Sequence, residues 1–227
     1  MMSKLILLML LAGVAFASSI GIVQKVDGIV KVTHKGSIKK SKVKEGYEIQ
    51  AGDIISTYRN SYAVLKLADN SDVVVAQRSV IAFEDALDFK QNGGKIYYKI
   101  TSKDVKNKLK IKTNFAIIGI KGTTFIVSAD KNSSYVALKE GLIGIASIKE
   151  EFQLYKKKVM SEFESFMKRQ QEGFEKYKKE QEEYIMTMTK QFDLQAGNVV
   201  SFSGEKAIEN PLKNKQEFES FEQLLKE

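Results

Sequence analysis

Between residues 18 and 149 no stretch of this sequence sustains a helical period. Its apolar residues come in short runs broken by glycine, asparagine and aspartate, which is the pattern of brief strands joined by turns. That pattern restricts the fold to a mainly β architecture, a roll, sandwich or barrel. The stretch that constrains it most is Ile117-Ile118-Gly119-Ile120-Lys121-Gly122-Thr123-Thr124-Phe125-Ile126-Val127. So apolar and β-branched a segment reads as buried strand near the middle of the core. Its glycines at 119 and 122 mark a bend, or a place where another backbone comes too close for a Cβ.

The other expected strands surround this one. Residues 21–26 and 28–33 meet at Asp27-Gly28, which reads as a hairpin turn. Gly46 and Gly52 each close a short extended piece. Along 62–67, Tyr62 and Val64 fall on one side, with Ala63, Leu65 and Leu67 on the other. Asp69-Asn70-Ser71-Asp72 turns into Val73-Val74-Val75, a run apolar on both faces and therefore central. Asn92-Gly93-Gly94 turns into a strand beginning at Lys95. Leu109 and Ile111 alternate with Lys108, Lys110 and Lys112, giving one buried and one basic face. Tyr135 to Lys139 and Leu142 to Ile148 complete the set, and a loose recurrence of glycine-plus-strand units leaves a solenoid-like roll open.

Four motifs then occur in order: Gly46-x5-Gly52-Asp53-Ile54-x2-Thr57, Ala63-x-Leu65-x-Leu67-x-Asp69-x-Ser71, Gly119-Ile120-Lys121-Gly122-Thr123-x-Phe125-x-Val127, and Val136-x3-Glu140-Gly141-x-Ile143. Together they resemble the FecR domain, a periplasmic β domain. Lys121 stands where that family has arginine, and Asn70 where it has glycine; asparagine tolerates the positive φ such a turn needs. The resemblance implies an all-β periplasmic binding or signalling module. Full-length FecR proteins also carry a cytoplasmic anti-sigma segment and a membrane-spanning helix. Neither is legible here, so transcriptional regulation is not carried over.

Residues 150–191 change character, with a dense mix of Glu, Lys, Gln, Phe, Tyr and Met and no proline. Phe152, Tyr155, Val159 and Phe166, then Phe174, Tyr177, Gln181, Tyr184 and Met188, fall near a heptad seam. Residues 192–202 return to a strand pattern resembling the closing strands of the FecR domain. One unbroken helix of that length would reach ~63 Å and could not bring the chain back. An antiparallel helical hairpin, turning near residues 170–173 and inserted in the β domain (18–149 plus 192–210), is therefore expected. Asn210-Pro211 reads as the cap and first turn of a final amphipathic helix over 211–227, with Phe218, Phe221, Leu224 and Leu225 on one face.

Residues 1–17 have the three parts of a secretory signal peptide: Lys4, an apolar run, and Ala15-Phe16-Ala17 as the cleavage site. The expected mature chain begins after Ala17 and is periplasmic. Charge is uneven: residues 18–149 hold 22 Lys/Arg against 12 Asp/Glu, whereas 150–192 are balanced at nine each. Outside the cytoplasm this surplus does not point to nucleic acid. It suits a soluble β domain with charged edges, or an anionic glycan or lipid head held by Lys108, Lys110 and Lys112.

No catalytic constellation assembles from the residue types present. There is one histidine and no cysteine, so His-dependent triads have little support and His/Cys metal sites are excluded. His34 follows a strand and is expected to be exposed. Glu84, Asp85 and Asp88 read as a solvated turn. Gly119-x2-Gly122-Thr123-Thr124 fails as a phosphate loop, since its lysine precedes the second glycine and a strand follows. The sequence therefore points to a non-enzymatic module without cofactor or metal that contacts an envelope protein. Met160, Phe163 and Met167 on the first arm are the candidate partner face; pairing of two copies through the hairpin is a second possibility.

Overall fold

The computed structural model describes residues 19–101, 109–130, 133–157 and 184–226. The expected signal peptide (1–17), Lys108 and the expected partner-face residues Met160, Phe163 and Met167 lie outside them. The described residues form eighteen strands and one helix, confirming a mainly β fold. All strands belong to one hydrogen-bonded network that folds over itself through two long strands, β12 (Ile117–Asp130) and β13 (Ser133–Ala146).

Each half of these two strands serves a different layer. Toward its start β12 pairs with β11 (Leu109–Lys112), and toward its end with β10 (Lys95–Lys99). β13 likewise pairs with β17 (Asn198–Ser203) and then with β16 (Gln191–Gln195). The first layer runs β4 (Glu48–Ile49), β1 (Gly21–Asp27), β6 (Tyr62–Leu67), β7 (Asp72–Val75), β10, β12, β13 and β17. It continues through β18 (Lys206–Pro211) and β14 (Phe152–Lys157) to β15 (Tyr184–Thr189). The second layer runs β3 (Lys40–Lys42), β2 (Val30–Thr33), β5 (Ile54–Thr57), β8 (Val80–Phe83), β9 (Asp88–Gly93), β11, β12, β13 and β16.

The bend between layers lies where the glycines predicted it, with one difference. The β12–β13 register breaks between Lys121 and Phe125. Gly122 (φ 58°) and Gly141 (φ 91°) face each other across the break, and a Cβ on Gly141 would lie 2.6 Å from the Gly122 carbonyl oxygen. Only glycine fits there. Gly119, by contrast, sits in the regular ladder opposite Gly144, with room for a side chain.

Alternation along the first layer separates two cores. Ala63, Leu65, Val73, Val75, Ile96, Tyr98, Phe125, Val127, Val136 and Val200 point inward to the main core, joined from the second layer by Ile55, Ile81, Phe89 and Ile111. Val64, Val74, Tyr97, Ile126 and Ala137 point outward and form a second cluster with Phe218 and Phe221. This explains the run of valines at 73–75, which is apolar on both faces because both are covered. In the main core Tyr98 stacks on Phe125 at 4.9 Å, and its hydroxyl donates to the buried Gln91 side chain at 3.1 Å. The Gln91 amide in turn donates to the carbonyls of Gly94 and Val127, so no polar atom of this group is stranded.

Three expectations fail. Asp27-Gly28 is not a hairpin: β1 pairs with β4 and β6, and β2 with β3 and β5, so the chain crosses between layers there. Gly28 (φ 72°) is packed against Ser61, whose hydroxyl accepts from the Ile29 amide at 2.8 Å. The helical hairpin over 150–191, with its coiled-coil seam, is not what the described residues form. Phe152–Lys157 and Tyr184–Thr189 are an antiparallel strand pair, and residues 158–183 lie outside the described set. The buried residues are Phe152 and Leu154, two apart and alternating; β18 supplies the sheet edge they join. The heptad reading was dominated by the Glu/Lys-rich residues farther along. The expected return to the same β body does occur, with Leu142 opposite Gln195 and Ala146 opposite Gln191.

Finally, Pro211 ends β18 and does not open the last helix. That helix, α1 (Gln216–Leu224), starts five residues on, where Asn214 Oδ1 accepts from the Gln216 amide at 2.9 Å.

Candidate interaction surface

The residues of the four motifs serve the fold. Asp53, 2% exposed, is a clamp: its carboxylate accepts from the Tyr47 hydroxyl at 2.6 Å and the Gln50 amide at 3.0 Å, and His34 Nδ1 lies 2.9 Å away. Burial, and then the bond to Asp53, push the Tyr47 phenol above its ordinary pKa. His34 is half exposed, as expected, yet engaged. Gly46 (φ 80°) and Gly52 (φ 91°) make the flanking turns, and a Cβ on Gly52 would strike Lys35. The buried Thr57 hydroxyl donates to the Ala76 carbonyl and accepts from the Ser79 amide. Asp69 Oδ1 accepts from the Ser71 amide at 3.0 Å, and Asn70 takes φ 65°, the conformation the turn requires. Thr123 and Phe125 are buried, whereas Lys121 is exposed at the bend. These residues set turns, bend and core, and they converge on no pocket.

The basic strand is partly neutralised. Lys110 is exposed, but the Lys112 ammonium lies 2.7 Å from Asp88 and 3.0 Å from Glu84. Those two hydrogen bonds, to Asp88 first, raise its pKa. Residues 84–87 are a solvated bend as expected, and Glu84 with the adjoining Asp88 also supplies this lysine's counter-charge.

The outward face of the first layer is closed by α1. Phe221 stacks on Tyr97 at 5.6 Å and Phe218 meets it edge-on at 6.3 Å. Lys95 pairs with Glu217, which also accepts from the Tyr135 hydroxyl at 2.9 Å; Lys139 pairs with Glu222. Burial works most strongly against the Lys95 ammonium, but the bonds and charges of Glu217 and Tyr135 together outweigh it and leave the pKa raised. These contacts tether the helix at both ends of its apolar face.

The β14–β15 ribbon is not closed in this way. β15 pairs with β14 alone among the described residues, and Ile185, Met186 and Met188 are 54%, 50% and 50% exposed. Its sequence, Tyr-Ile-Met-Thr-Met-Thr, carries no charge. The other sheet margins differ: β3 is Lys-Ser-Lys, β4 has two residues, and β16 contains Asp193. Short or charged edges resist unwanted pairing, and β15 lacks both protections. Sequence reasoning missed this strand, although Thr187 and Thr189 alternating with Met186 and Met188 were available as the signal. Beside the ribbon a groove of about 510 Å³ runs between Tyr184, Asn210, Val199 and Glu217, bounded by the segment entering α1. Among the described residues no group of three or more His, Cys, Asp or Glu could hold a metal, and no helix is long and apolar enough to cross a membrane.

Comparisons place this geometry. Two crystal structures of a proposed anti-sigma factor from Parabacteroides distasonis ATCC 8503 align with this chain, each at 10% identity, and the first of them shows the shared fold. One aligns with TM-score 0.50 over 74% of this chain and 64% of its own, the other with 0.48 over 73% and 62%. The chain thus spans under two thirds of those proteins' length, and at that identity the likeness concerns the fold alone. No curated protein matches. The family model described as FecR protein matches residues 53–144, from the Asp53 clamp into the second half of β13, leaving the ribbon and α1 outside it. Over residues 53–144 this chain matches the FecR domain.

Proposed function

We propose that this chain is an exported, periplasmic, non-enzymatic FecR-domain protein that works as a protein-interaction module in envelope signalling. Its contact surface is the β14–β15 ribbon together with the residues 158–183 that the ribbon carries, including Met160, Phe163 and Met167. The observation that carries this reading is the open, uncharged margin of β15, in a protein whose other apolar outer face is already covered by its own helix. Exposed apolar strand edges are recurrent sites of protein association. The resemblance to a proposed anti-sigma factor supports a regulatory setting, and the A-x-A sequence at Ala15-Phe16-Ala17 supports export.

Binding of an anionic glycan or lipid head is the less favoured reading, because Lys112 already has two carboxylate partners. Photo-crosslinking in intact cells tests the choice. A crosslinker at Thr187 or Met188 should capture protein, and one at Lys40 on the charged β3 edge should not. Capture no greater at Thr187 than at Lys40 would overturn the assignment of the surface. Replacing Met160, Phe163 and Met167 with Gln should reduce capture without changing the melting temperature.

A further inference from the structure

We propose that β15 is a homotypic pairing strand: residues 185–189 add antiparallel to the same residues of a second copy, extending the sheet across a two-fold axis. This rests on the ribbon being the interaction surface and names its occupant.

The backbone supplies the first reason. One side of the strand is satisfied by β14, from Phe152 opposite Thr189 to Lys156 opposite Ile185. Among the described residues the one pairing register that contains β15 is that with β14, so no other described strand is in register with the N–H and C=O groups of 185–189 that point the other way. A strand of another chain can complete them in the same ladder geometry.

Charge supplies the second. Nothing over 184–189 is ionised, so two copies approach without like charges face to face at the strand. Lys190 follows the strand directly and falls opposite the copy's Tyr184, at the ends of the pairing; Lys156 and Lys157 belong to β14, opposite Ile185 and Tyr184. They lie one strand behind the contact and toward one end, and a two-fold axis sends the two copies' lysines to opposite ends. The same operation on the lysine-edged β3 would bring four lysines together.

Self-complementarity supplies the third. A two-fold axis normal to the sheet keeps each face on its own side, so opposed residues must share a face. With Thr187 on the axis, Met186 meets the copy's Met188 on the face of Tyr155 and Gln153. Ile185 meets Thr189 on the face of the buried Phe152 and Leu154. Methionine adapts its shape to such a seam, and β-branched residues fill the other side.

The contact is small, below the roughly 1,200 Å² of a standard interface, so it is a reversible, concentration-dependent equilibrium. Because the chain carries a formal charge of +8, screening should strengthen it, whereas anion binding would weaken with salt.

The test is sedimentation of the full-length purified chain across a wide concentration range. The expected result is a monomer–dimer equilibrium favoured by salt. Thr187→Lys should weaken it by more than about tenfold by setting like charges on the axis, with an unchanged melting temperature. Ile38→Lys, at a fully exposed loop residue, should leave it unaltered. Since the chain has no cysteine, Thr187→Cys should be joined to its copy by a short bismaleimide, and Ile38→Cys should not. A dimer that survives Thr187→Lys overturns the proposal by placing association elsewhere. A chain monomeric throughout, yet crosslinked at Thr187 to a different protein in cells, also overturns it while leaving the interaction reading intact. A monomer with no such adduct defeats both.

Discussion

The first layer has two apolar surfaces outside the main core, and the chain treats them differently. Over β6, β7, β10, β12 and β13 the outward residues Val64, Val74, Tyr97, Ile126 and Ala137 are buried beneath Phe218 and Phe221, with Glu217 and Glu222 fastened to Lys95 and Lys139. Over the β14–β15 ribbon, Met186 and Met188 stand half exposed beside an edge with no charge on it. Both surfaces carry large apolar side chains, so their presence alone does not separate them. What separates them is a covering element with its own polar anchors. A surface so covered contributes to stability; one left open is available to another molecule.

Truncating each surface should show the largest contrast. Phe218→Ala removes a side chain 1% exposed and should cost about 3–4 kcal/mol in urea unfolding. Met188→Ala should stay within about 0.5 kcal/mol. Similar losses at both would mean that the ribbon is core.

A second contrast concerns the bend that lets β12 and β13 serve both layers. Gly141→Ala combines positive φ with overlap on the Gly122 carbonyl, and upwards of about 3 kcal/mol is expected. Gly46→Ala has a similar φ but open space around it, so only about 1 kcal/mol should be lost. Equal effects would remove the distinction between a crowded bend and an open turn.

The smallest effect should come from the helix anchors. Glu217→Gln breaks the pair with Lys95, whose members are about one third exposed. A loss of about 0.5–1 kcal/mol, shrinking in high salt, is expected. A larger and salt-insensitive loss would show that these contacts, more than Phe218 and Phe221, hold α1 in place.

Much of this fold was legible because alternation reports directly on burial. Tyr62 and Val64 against Ala63, Leu65 and Leu67 fell on the sides the structure gives them, and the 73–75 valines were correctly read as covered twice. The bend at Gly122 was visible as one of two glycines in a largely apolar strand, but its pairing with Gly141 was not, since strand pairing is nonlocal. For the same reason Asp27-Gly28 misled: the dipeptide fixes a local turn, while the layer each flanking strand joins depends on β4, β5 and β6, more than twenty positions away. The ribbon was misread because Phe152, Leu154, Met186 and Met188 occupy short alternating runs at the ends of a Glu/Lys-rich stretch, and a window spanning it registers helix. Its open edge could not be read at all, because an edge is defined by which strand fails to arrive.

Amide hydrogen exchange, followed strand by strand on the isolated chain at low and high protein concentration, tests the contrast most directly. The account predicts that Val74, Tyr97 and Ile126 exchange only through global unfolding at either concentration. The outward-pointing amides of residues 185–189 should exchange rapidly when dilute and slow markedly on concentration. Protection of 185–189 equal to that of β10 in the dilute chain would contradict it.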